Sequence, residues 1–266
     1  MANDRKAGRQ FSIPAPLVKA NNAGGNFSGK GSLQLSTADN TFPLPNGTEI
    51  EQWLDANFGE QFASADDRGF VIQSSAAQRP RWYRHAGRYG LLFDGVNDFM
   101  TANTGNRAMT SNGHCYVSVC FASLSDRDAG MIVAPSPFIS AVRNRLYVRQ
   151  ADVVVGDFIE VPYPGGNQQG VLRHVSVLAT PSDFTVVVDG TSLGAFTPPI
   201  PTPVNSTWYF GAQLVGNGTE LAHGNSFICA CSIIGRATTS AERASVDAWV
   251  QNEAFYTGPE MIGSPV

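Results

Sequence analysis

Residues 90–100, GLLFDGVNDFM, place turn-forming residues between two apolar runs. Asp94-Gly95 and Asn97-Asp98 are typical of turns, because Gly, Asn and Asp tolerate positive φ or bond their own backbone. The plain interpretation is a β-hairpin whose two strands flank this loop.

The rest of the chain repeats this pattern of short apolar runs and turn signals. About a dozen runs are rich in β-branched and aromatic residues, among them HCYVSVCFASL (114–124), DFTVVVDGTSLGAF (183–196) and NSFICACSIIG (225–235). With 27 Gly and 16 Pro in 266 residues, the composition favours strands and turns over long helices. The sequence therefore predicts an all-β protein, a sandwich or a barrel.

One helix is predicted, near the C-terminus, in TTSAERASVDAWVQNEAF (238–255). Thr239 is its expected N-cap and Glu242 completes a capping box. Val246, Trp249 and Val250 then share one face, which we expect to pack against a sheet. The spacing of apolar residues from Ile50 to Phe58 leaves helix and strand both open there.

Residues 1–40 differ from the remainder and predict an extended arm without a core of its own. This segment is rich in Gly and Asn, interrupted by Pro14 and Pro16, and basic, whereas the whole chain has a net charge of −4. The acidic balance argues against nucleic-acid binding. No apolar run is long enough for membrane insertion, and the N-terminus has no secretory h-region, so we expect synthesis in a cytoplasm.

Candidate chemistry is sparse. The four cysteines lack metal-knuckle spacing, so they are expected to be buried free thiols, with Cys229 and Cys231 on one face of a strand. His174 lies between strand residues, where a hydrogen-bonded core histidine is the expected role. No His-Glu-x-x-His motif occurs.

Five segments in order resemble the laminin-G-like domains of the concanavalin A-like lectin/glucanase fold found in phage proteins. They are EQWLDANFGEQFASADDRGFVIQSSAAQRPRWY (51–83), YGLLFDGVNDFM (89–100), LRHVSVLATPSDFTVVVDGTSLGAF (172–196), WYFGAQL (208–214) and FICACSIIGRATTSAERASVDAWV (227–250). The resemblance implies a concanavalin A-like (jelly-roll) β-sandwich over residues 41–266, with a central hairpin in the third segment. It also implies that the Phe-Asp-Gly string is where a strand enters the sandwich and turns, with Asp94 and Asp98 bonding local N–H groups.

The resemblance implies a structural protein of a phage-like virion, as capsid decoration, head fibre, neck or tail component. Its localisation would be the virion and its partners other virion proteins, in a homo-oligomer. The arm would be the anchor, through Arg5, Lys6, Arg9, Phe11 and Lys19. The alternative is a glycan-binding module for attachment to a host surface.

Candidate glycan-binding residues are Asn97 and Asp98 in the loop, with Trp208 and Tyr209 at a strand end. Exposed Trp and Tyr can stack on sugars, although core packing also explains such residues. Calcium is the one cofactor that the resemblance allows, since laminin-G-like domains can bind it through oxygen ligands. No other metal is expected.

The glucanases of this fold carry Glu-x-Asp-x-x-Glu on one strand to supply paired carboxylates. The nearest string here, from Glu49 to Asp55, lacks the central Asp and the final Glu. The sequence therefore predicts no catalytic residues and a protein that is not an enzyme.

Overall fold

The computed structural model describes the strands, the C-terminal helix and the turns that join most of them. The described residues are 26–28, 33–34, 47, 49, 52–54, 70–103, 114–125, 131–133, 138–142, 145–149, 159–162, 169–197, 209–215, 220–234 and 237–253. The predicted anchoring residues Arg5, Lys6, Arg9, Phe11 and Lys19, and Trp208 of the predicted glycan site, lie outside them.

Within this part of the chain there are nineteen strands and one α-helix. The strands are β1 (Asn26–Ser28), β2 (Leu33–Gln34), β3 (Gln52–Leu54), β4 (Phe70–Ile72), β5 (Arg81–His85), β6 (Arg88–Asp94), β7 (Met100–Asn103), β8 (Cys115–Ser123), β9 (Met131–Val133), β10 (Phe138–Val142), β11 (Arg145–Arg149), β12 (Ile159–Pro162), β13 (Arg173–Ala179), β14 (Phe184–Val188), β15 (Thr191–Phe196), β16 (Tyr209–Phe210), β17 (Ala212–Val215), β18 (Glu220–His223) and β19 (Asn225–Ile234). Helix α1 (Ser240–Ala248) continues into a π-helical turn, Trp249–Glu253, and a short 3-10 helix spans Ala76–Gln78. Within the region that the sequence left open, Gln52–Leu54 form strand β3.

The strands form antiparallel sheets. The main sheet has the order β15-β14-β13-β8-β19-β6-β5, and β1 adds to β19. A second sheet has the order β16-β7-β4-β3-β2, a third has the order β12-β11-β10-β9, and β17 pairs with β18. The predicted all-β sandwich is confirmed, and so is the central hairpin, in which Ala179 of β13 lies opposite Phe184 of β14.

The prediction of a hairpin at residues 90–100 is wrong. Strand β6 pairs with β5 and β19 in the main sheet, whereas β7 pairs with β4 and β16 in the second sheet. The turn residues between them carry the chain from one sheet to the other. The implication of the resemblance, a strand that enters the sandwich and turns, describes this segment better.

Strand β8 lies at the centre of the main sheet, and all nine of its residues are buried. One face of β8 and β19 is covered by α1 and the π-helical turn, whose side chains Val246, Trp249 and Val250 pack on Tyr116, Cys120, Ala122 and Ile234. The predicted apolar face of the helix is therefore confirmed. The capping box is confirmed too, because Thr239 Oγ1 accepts from the Glu242 N–H and Glu242 Oε2 accepts from the Thr239 N–H.

A β-bulge interrupts the pairing of β19 with β8 between Ile228 and Ala230. Because a bulge sets two residues opposite one, Cys229 and Ala230 both lie on the helix-covered face, opposite Cys120. Cys231 is opposite Val119, on the other face. The prediction that Cys229 and Cys231 share a face is therefore wrong, because the extra residue shifts the alternation.

Two short pieces of the predicted arm pair with the body of the same chain. In β1, Phe27 lies opposite Cys231, and in β2, Leu33 lies opposite Trp53. Strand β6 pairs with β19 as far as Leu91, and β1 pairs with the part of the same edge of β19 that follows. The boundary at residue 40 and the anchoring role of the arm stay predictions.

Candidate binding site

The loop between β6 and β7 is fixed by its own carboxylates. Oδ1 of Asp94 accepts the backbone N–H groups of Val96, Asn97 and Asp98 at 2.8, 3.1 and 3.1 Å. In return, Oδ2 of Asp98 accepts the N–H of Asp94 at 3.1 Å. The predicted bonding of Asp94 and Asp98 to local backbone groups is confirmed, and it holds the loop in one conformation.

Gly95 allows this loop to turn against β19. Its φ is +75°, and a Cβ there would lie 2.8 Å from Cβ of Asn225. A side chain is therefore excluded both by the backbone conformation and by the neighbouring strand. The following residue, Val96, is 73% exposed and forms the tip of the loop.

Aromatic rings lie directly beside the loop. The ring of Phe99 is 6.3 Å from that of Tyr209 and 5.8 Å from that of His223, between centroids. Nδ1 of His223 lies 3.3 Å from the backbone oxygen of Asp98. The backbone of Phe99 is held in turn by Gln73, whose Nε2 donates to the Phe99 oxygen at 3.1 Å. We call the loop Asp94–Asp98 with Phe99, Tyr209 and His223 the loop-end site.

The two carboxylates of the loop-end site titrate differently. Burial alone would raise the pKa of Asp94, but the N–H groups of Val96, Asn97 and Asp98 hold it below its usual value. Burial, followed by the negative charge of Asp94, raises the pKa of Asp98 to about 6. At neutral pH both are ionised, and Glu49 adds a third negative charge nearby against the positive charge of Arg81. The site is therefore acidic.

Three of the four predicted glycan-binding residues fall within this site. Asn97 and Asp98 both lie in the loop, where Asn97 is half-buried, and Tyr209 packs on Phe99. Only 6% of Asp98 is exposed, so its carboxylate mainly supports the loop, whereas Asp94 is exposed. Sequence reasoning missed Phe99 and His223 as members; Phe99 directly follows Asp98, but nothing in the sequence pointed to His223.

Among the described residues no group of three His, Cys, Asp or Glu side chains is arranged to hold a metal ion. At the loop, one oxygen of each aspartate is already taken by backbone N–H groups. Calcium binding stays a prediction of the resemblance.

Strand β5 carries two further aromatic residues, Trp82 and Tyr83. Trp82 is completely buried and stacks on Tyr89, with ring centroids 5.3 Å apart. Trp82 therefore packs in the core, which is one of the two roles that the sequence left open for such residues. Tyr83 is 41% exposed on β5.

A second polar cluster lies buried between α1 and the main sheet. Tyr116 Oη and Ser118 Oγ donate to Asp247 Oδ1 at 2.6 and 2.7 Å, and Nε2 of His174 lies 2.8 Å from Ser118 Oγ. Nδ1 of His174 is 3.1 Å from Nε2 of Gln251. The predicted role of His174 as a hydrogen-bonded core residue is confirmed.

These residue types are those of a nucleophile, a base and an acid, but their connections differ from a catalytic triad. The neutral tautomer that satisfies every partner has Nε2–H donating to Ser118 and Nδ1 accepting from Gln251. The Ser118 proton then points to Asp247, and Ser118 has no exposed surface. Burial alone would raise the pKa of Asp247, but the imidazole of His174, 3.5 Å away, and the hydrogen bonds from Tyr116 and Ser118 hold it below its usual value. The cluster therefore fixes the helix to the sheet.

Within the part of the chain that the structure covers, no helix is long and apolar enough to cross a membrane.

No protein-family model matches the chain, and no curated protein matches it. Solved structures do. Trypanosoma rangeli sialidase in complex with sialic acid matches 93% of this chain and 37% of its own, at 11% identity and a TM-score of 0.52. The same enzyme in complex with 2,3-difluoro-KDN matches 92% of this chain and 34% of its own, at 12% identity and a TM-score of 0.51. The binding domain of botulinum neurotoxin serotype D/C matches 77% of this chain and 52% of its own, at 12% identity and a TM-score of 0.46.

The chain spans about a third of the length of the sialidase chains that it matches. At this identity the likeness shows the fold, an all-β sandwich, and assigns no reaction. The prediction that the chain is not an enzyme is nevertheless wrong, because neither its fold nor its missing motifs support that inference. The chain shares its fold with part of sialidases, which are enzymes, so missing glucanase carboxylates do not exclude catalysis.

Proposed function

We propose that this chain is a carbohydrate-binding β-sandwich and that the loop-end site holds the sugar. The observation that carries the proposal is that a rigid polar loop lies next to an aromatic face. Asp94 fixes three consecutive N–H groups of the loop, and the next residue after the loop, Phe99, packs on Tyr209.

The chemistry suits a sugar. Amide and carboxylate groups, here of Asn97 and Asp94, can bond hydroxyls, and an aromatic ring such as that of Tyr209 offers apolar area with a polar tip. Because the loop is held before the ligand arrives, little conformational entropy is lost on binding.

The charge of the site favours a neutral sugar. Asp94 and Asp98 in the loop and Glu49 near it carry negative charge, which the positive charge of Arg81 opposes. A carboxylated sugar would bring like charge to this surface, which costs free energy. The sialidase was solved in complex with sialic acid, an anionic sugar. We therefore expect this chain to prefer uncharged hexoses or amino sugars.

A glycan array with the full chain tests the proposal. We expect binding to neutral or amino-sugar glycans, and a loss of about tenfold in affinity, ~1.4 kcal/mol, for Asn97→Ala and for Tyr209→Ala. Tyr83→Ala is the matched control, since Tyr83 is an exposed tyrosine on β5. Circular dichroism checks that each variant is folded. An array with no binding to neutral or amino-sugar glycans, or an equal loss for Tyr83→Ala, would contradict the assignment.

We also propose, from the resemblance and the basic arm, that the chain is a component of a phage-like virion. The arm carries Arg5, Lys6, Arg9 and Lys19 against a net charge of −4 for the whole chain, which suits contact with an acidic surface of other virion proteins. In this proposal the sandwich projects outward in a homo-oligomer and presents the loop-end site to a cell-surface glycan.

A deletion of residues 1–25 tests the anchor without removing β1. We expect the truncated chain to fold, with unchanged circular dichroism, and to be absent from particles purified with it. A matched variant with Arg5, Arg9 and Lys19 changed to Gln isolates charge from length. Incorporation of the truncated chain at the normal level would show that the arm is not the anchor.

A further inference from the structure

Two cysteines on neighbouring strands face each other under helix α1. The bulge in β19 sets Cys229 and Ala230 opposite Cys120 of β8. The thiol of Cys229 donates to the backbone oxygen of Cys120 at 3.4 Å. Residues opposed in this way across a sheet lie within the range of Cα separations that a disulfide spans.

A guanidinium lies against one of these thiols. Nη1 of Arg88, on β6, is 3.2 Å from Sγ of Cys120. Close approach of β6 to the bulge depends on Gly90, since a Cβ there would lie 2.7 Å from Cα of Cys229. The glycine thus brings the strand that carries the arginine against the bulge that carries Cys229.

We propose that Cys120 and Cys229 are a redox-modification site, in which a small peroxide oxidises the pair to a disulfide that joins β8 to β19. The three groups have separate roles. Cys120 is the attacking thiolate, Cys229 the resolving thiol, and Arg88 the positioning residue that stabilises the thiolate.

The acid–base properties agree with this division. The Cys229 hydrogen bond and the Arg88 charge hold the pKa of Cys120 below its usual value, against burial that would raise it. Burial, together with Cys120, raises the pKa of Cys229 well above its usual value. A thiolate beside a cation is the reactive form of cysteine, and a neighbouring thiol can resolve its oxidised state.

The reaction balances with one peroxide molecule. The Cys120 thiolate attacks a peroxide oxygen, the O–O bond breaks, and the released hydroxide takes a proton to become water. The Cys229 sulfur then attacks the sulfenic sulfur of Cys120, forming the S–S bond and releasing a second hydroxide. This hydroxide takes the proton of Cys229, so two thiols lose two electrons and two waters form.

The chain carries its own control in the other two cysteines. Cys115 and Cys231 are also buried free thiols, and burial raises the pKa of both. Cys231 lies opposite Val119, so it is on the face of the sheet away from Cys229 and Arg88. We expect Cys115 and Cys231 to stay reduced when the first pair is oxidised.

The test treats the folded full chain with hydrogen peroxide, unfolds it in an alkylating agent and digests it. Cys115 and Cys120 lie in one tryptic peptide, so chymotrypsin, which cuts after Tyr116, is needed to separate them. Cys229 and Cys231 are distinguished by the variants Cys229→Ser and Cys231→Ser. We expect a peptide linked through Cys120, with two hydrogens lost, in the wild type and in Cys231→Ser.

Further variants separate the roles. Cys229→Ser should abolish the link and leave Cys120 as a sulfenic or sulfinic acid. Arg88→Leu should slow the loss of free thiol about tenfold, and Arg88→Lys should restore much of the rate, with circular dichroism confirming the fold of each. Equal alkylation of all four cysteines after peroxide would overturn the proposal, as would a Cys115–Cys231 link or an unchanged rate in Arg88→Leu.

Discussion

Replacing Asp247 by alanine should detach helix α1 from the sheet. Asp247 accepts two short hydrogen bonds, from Tyr116 Oη at 2.6 Å and from Ser118 Oγ at 2.7 Å, and its Oδ1 lies 3.5 Å from His174 Nε2. A hydrogen bond to a charged group contributes roughly 1.5–3 kcal/mol, and the donors left behind stay buried. Because the Asp247 side chain is 24% exposed, solvent screens these interactions, so less than their full contribution is lost. We expect a net loss of about 3 kcal/mol in the free energy of unfolding.

Urea unfolding followed by tryptophan fluorescence measures this loss, and Trp249 in the adjoining turn is a reporter in the right place. With an m-value of about 3 kcal/mol/M, the midpoint should fall by about 1 M at constant m. Ser240→Ala, at an exposed position of the same helix, is the matched control and should leave the midpoint within experimental error. Asp247→Asn keeps an acceptor oxygen and should lose less than the alanine variant.

The same carboxylate predicts a pH dependence. The pKa of Asp247 is lowered in the folded state, so its contribution is complete above the usual carboxyl value of about 3.9 and is lost as the pH falls below it. The difference between wild type and Asp247→Asn should therefore shrink below about pH 4. An alanine variant within 1 kcal/mol of wild type at pH 7 would refute the view that this cluster holds the helix.

Three further predictions concern stability. Asp98→Asn should stabilise the fold at pH 7.5 but not at pH 4. The reason is that the folded-state pKa of Asp98, about 6, lowers wild-type stability as the pH rises from about 4 to 6. Urea midpoints measured at both pH values check this, and equal midpoint shifts would contradict it. Thr239→Ala should cost about 1 kcal/mol by removing the N-cap, with Ser240→Ala again as the control in urea unfolding. Gly90→Ala should lower the free energy of unfolding by about 2–3 kcal/mol, since its Cβ would overlap the backbone of Ile228 and Cys229; an unchanged thermal midpoint would show that β6 and β19 are not packed this closely.

Features set by near neighbours in sequence were predictable. The capping box joins Thr239 to Glu242, three residues apart, and the loop bonds join Asp94 to the residues that follow it. Turn chemistry also marked the loop correctly, but it could not say which sheet received the next strand. The hairpin prediction failed because sheet membership depends on distant partners of β6 and β7.

Features set by distant residues were not predictable from one sequence. His174 and Asp247 meet only because α1 folds back over the main sheet, and His223 reaches the loop only through the pairing of β17 with β18. The bulge at Cys229 reverses the alternation on which the cysteine prediction rested. The contacts that define both clusters therefore arise from tertiary packing.

The most direct test of the central claim is to locate the sugar on the protein. Backbone amide shifts of the isotope-labelled chain should be recorded while a neutral glycan that binds is titrated in. We predict that the largest changes cluster at the residues from Asp94 to Phe99, at Tyr209 and at His223. Changes confined to another surface, such as β5 around Tyr83 or the edge strand β15, would contradict it and place the binding site elsewhere.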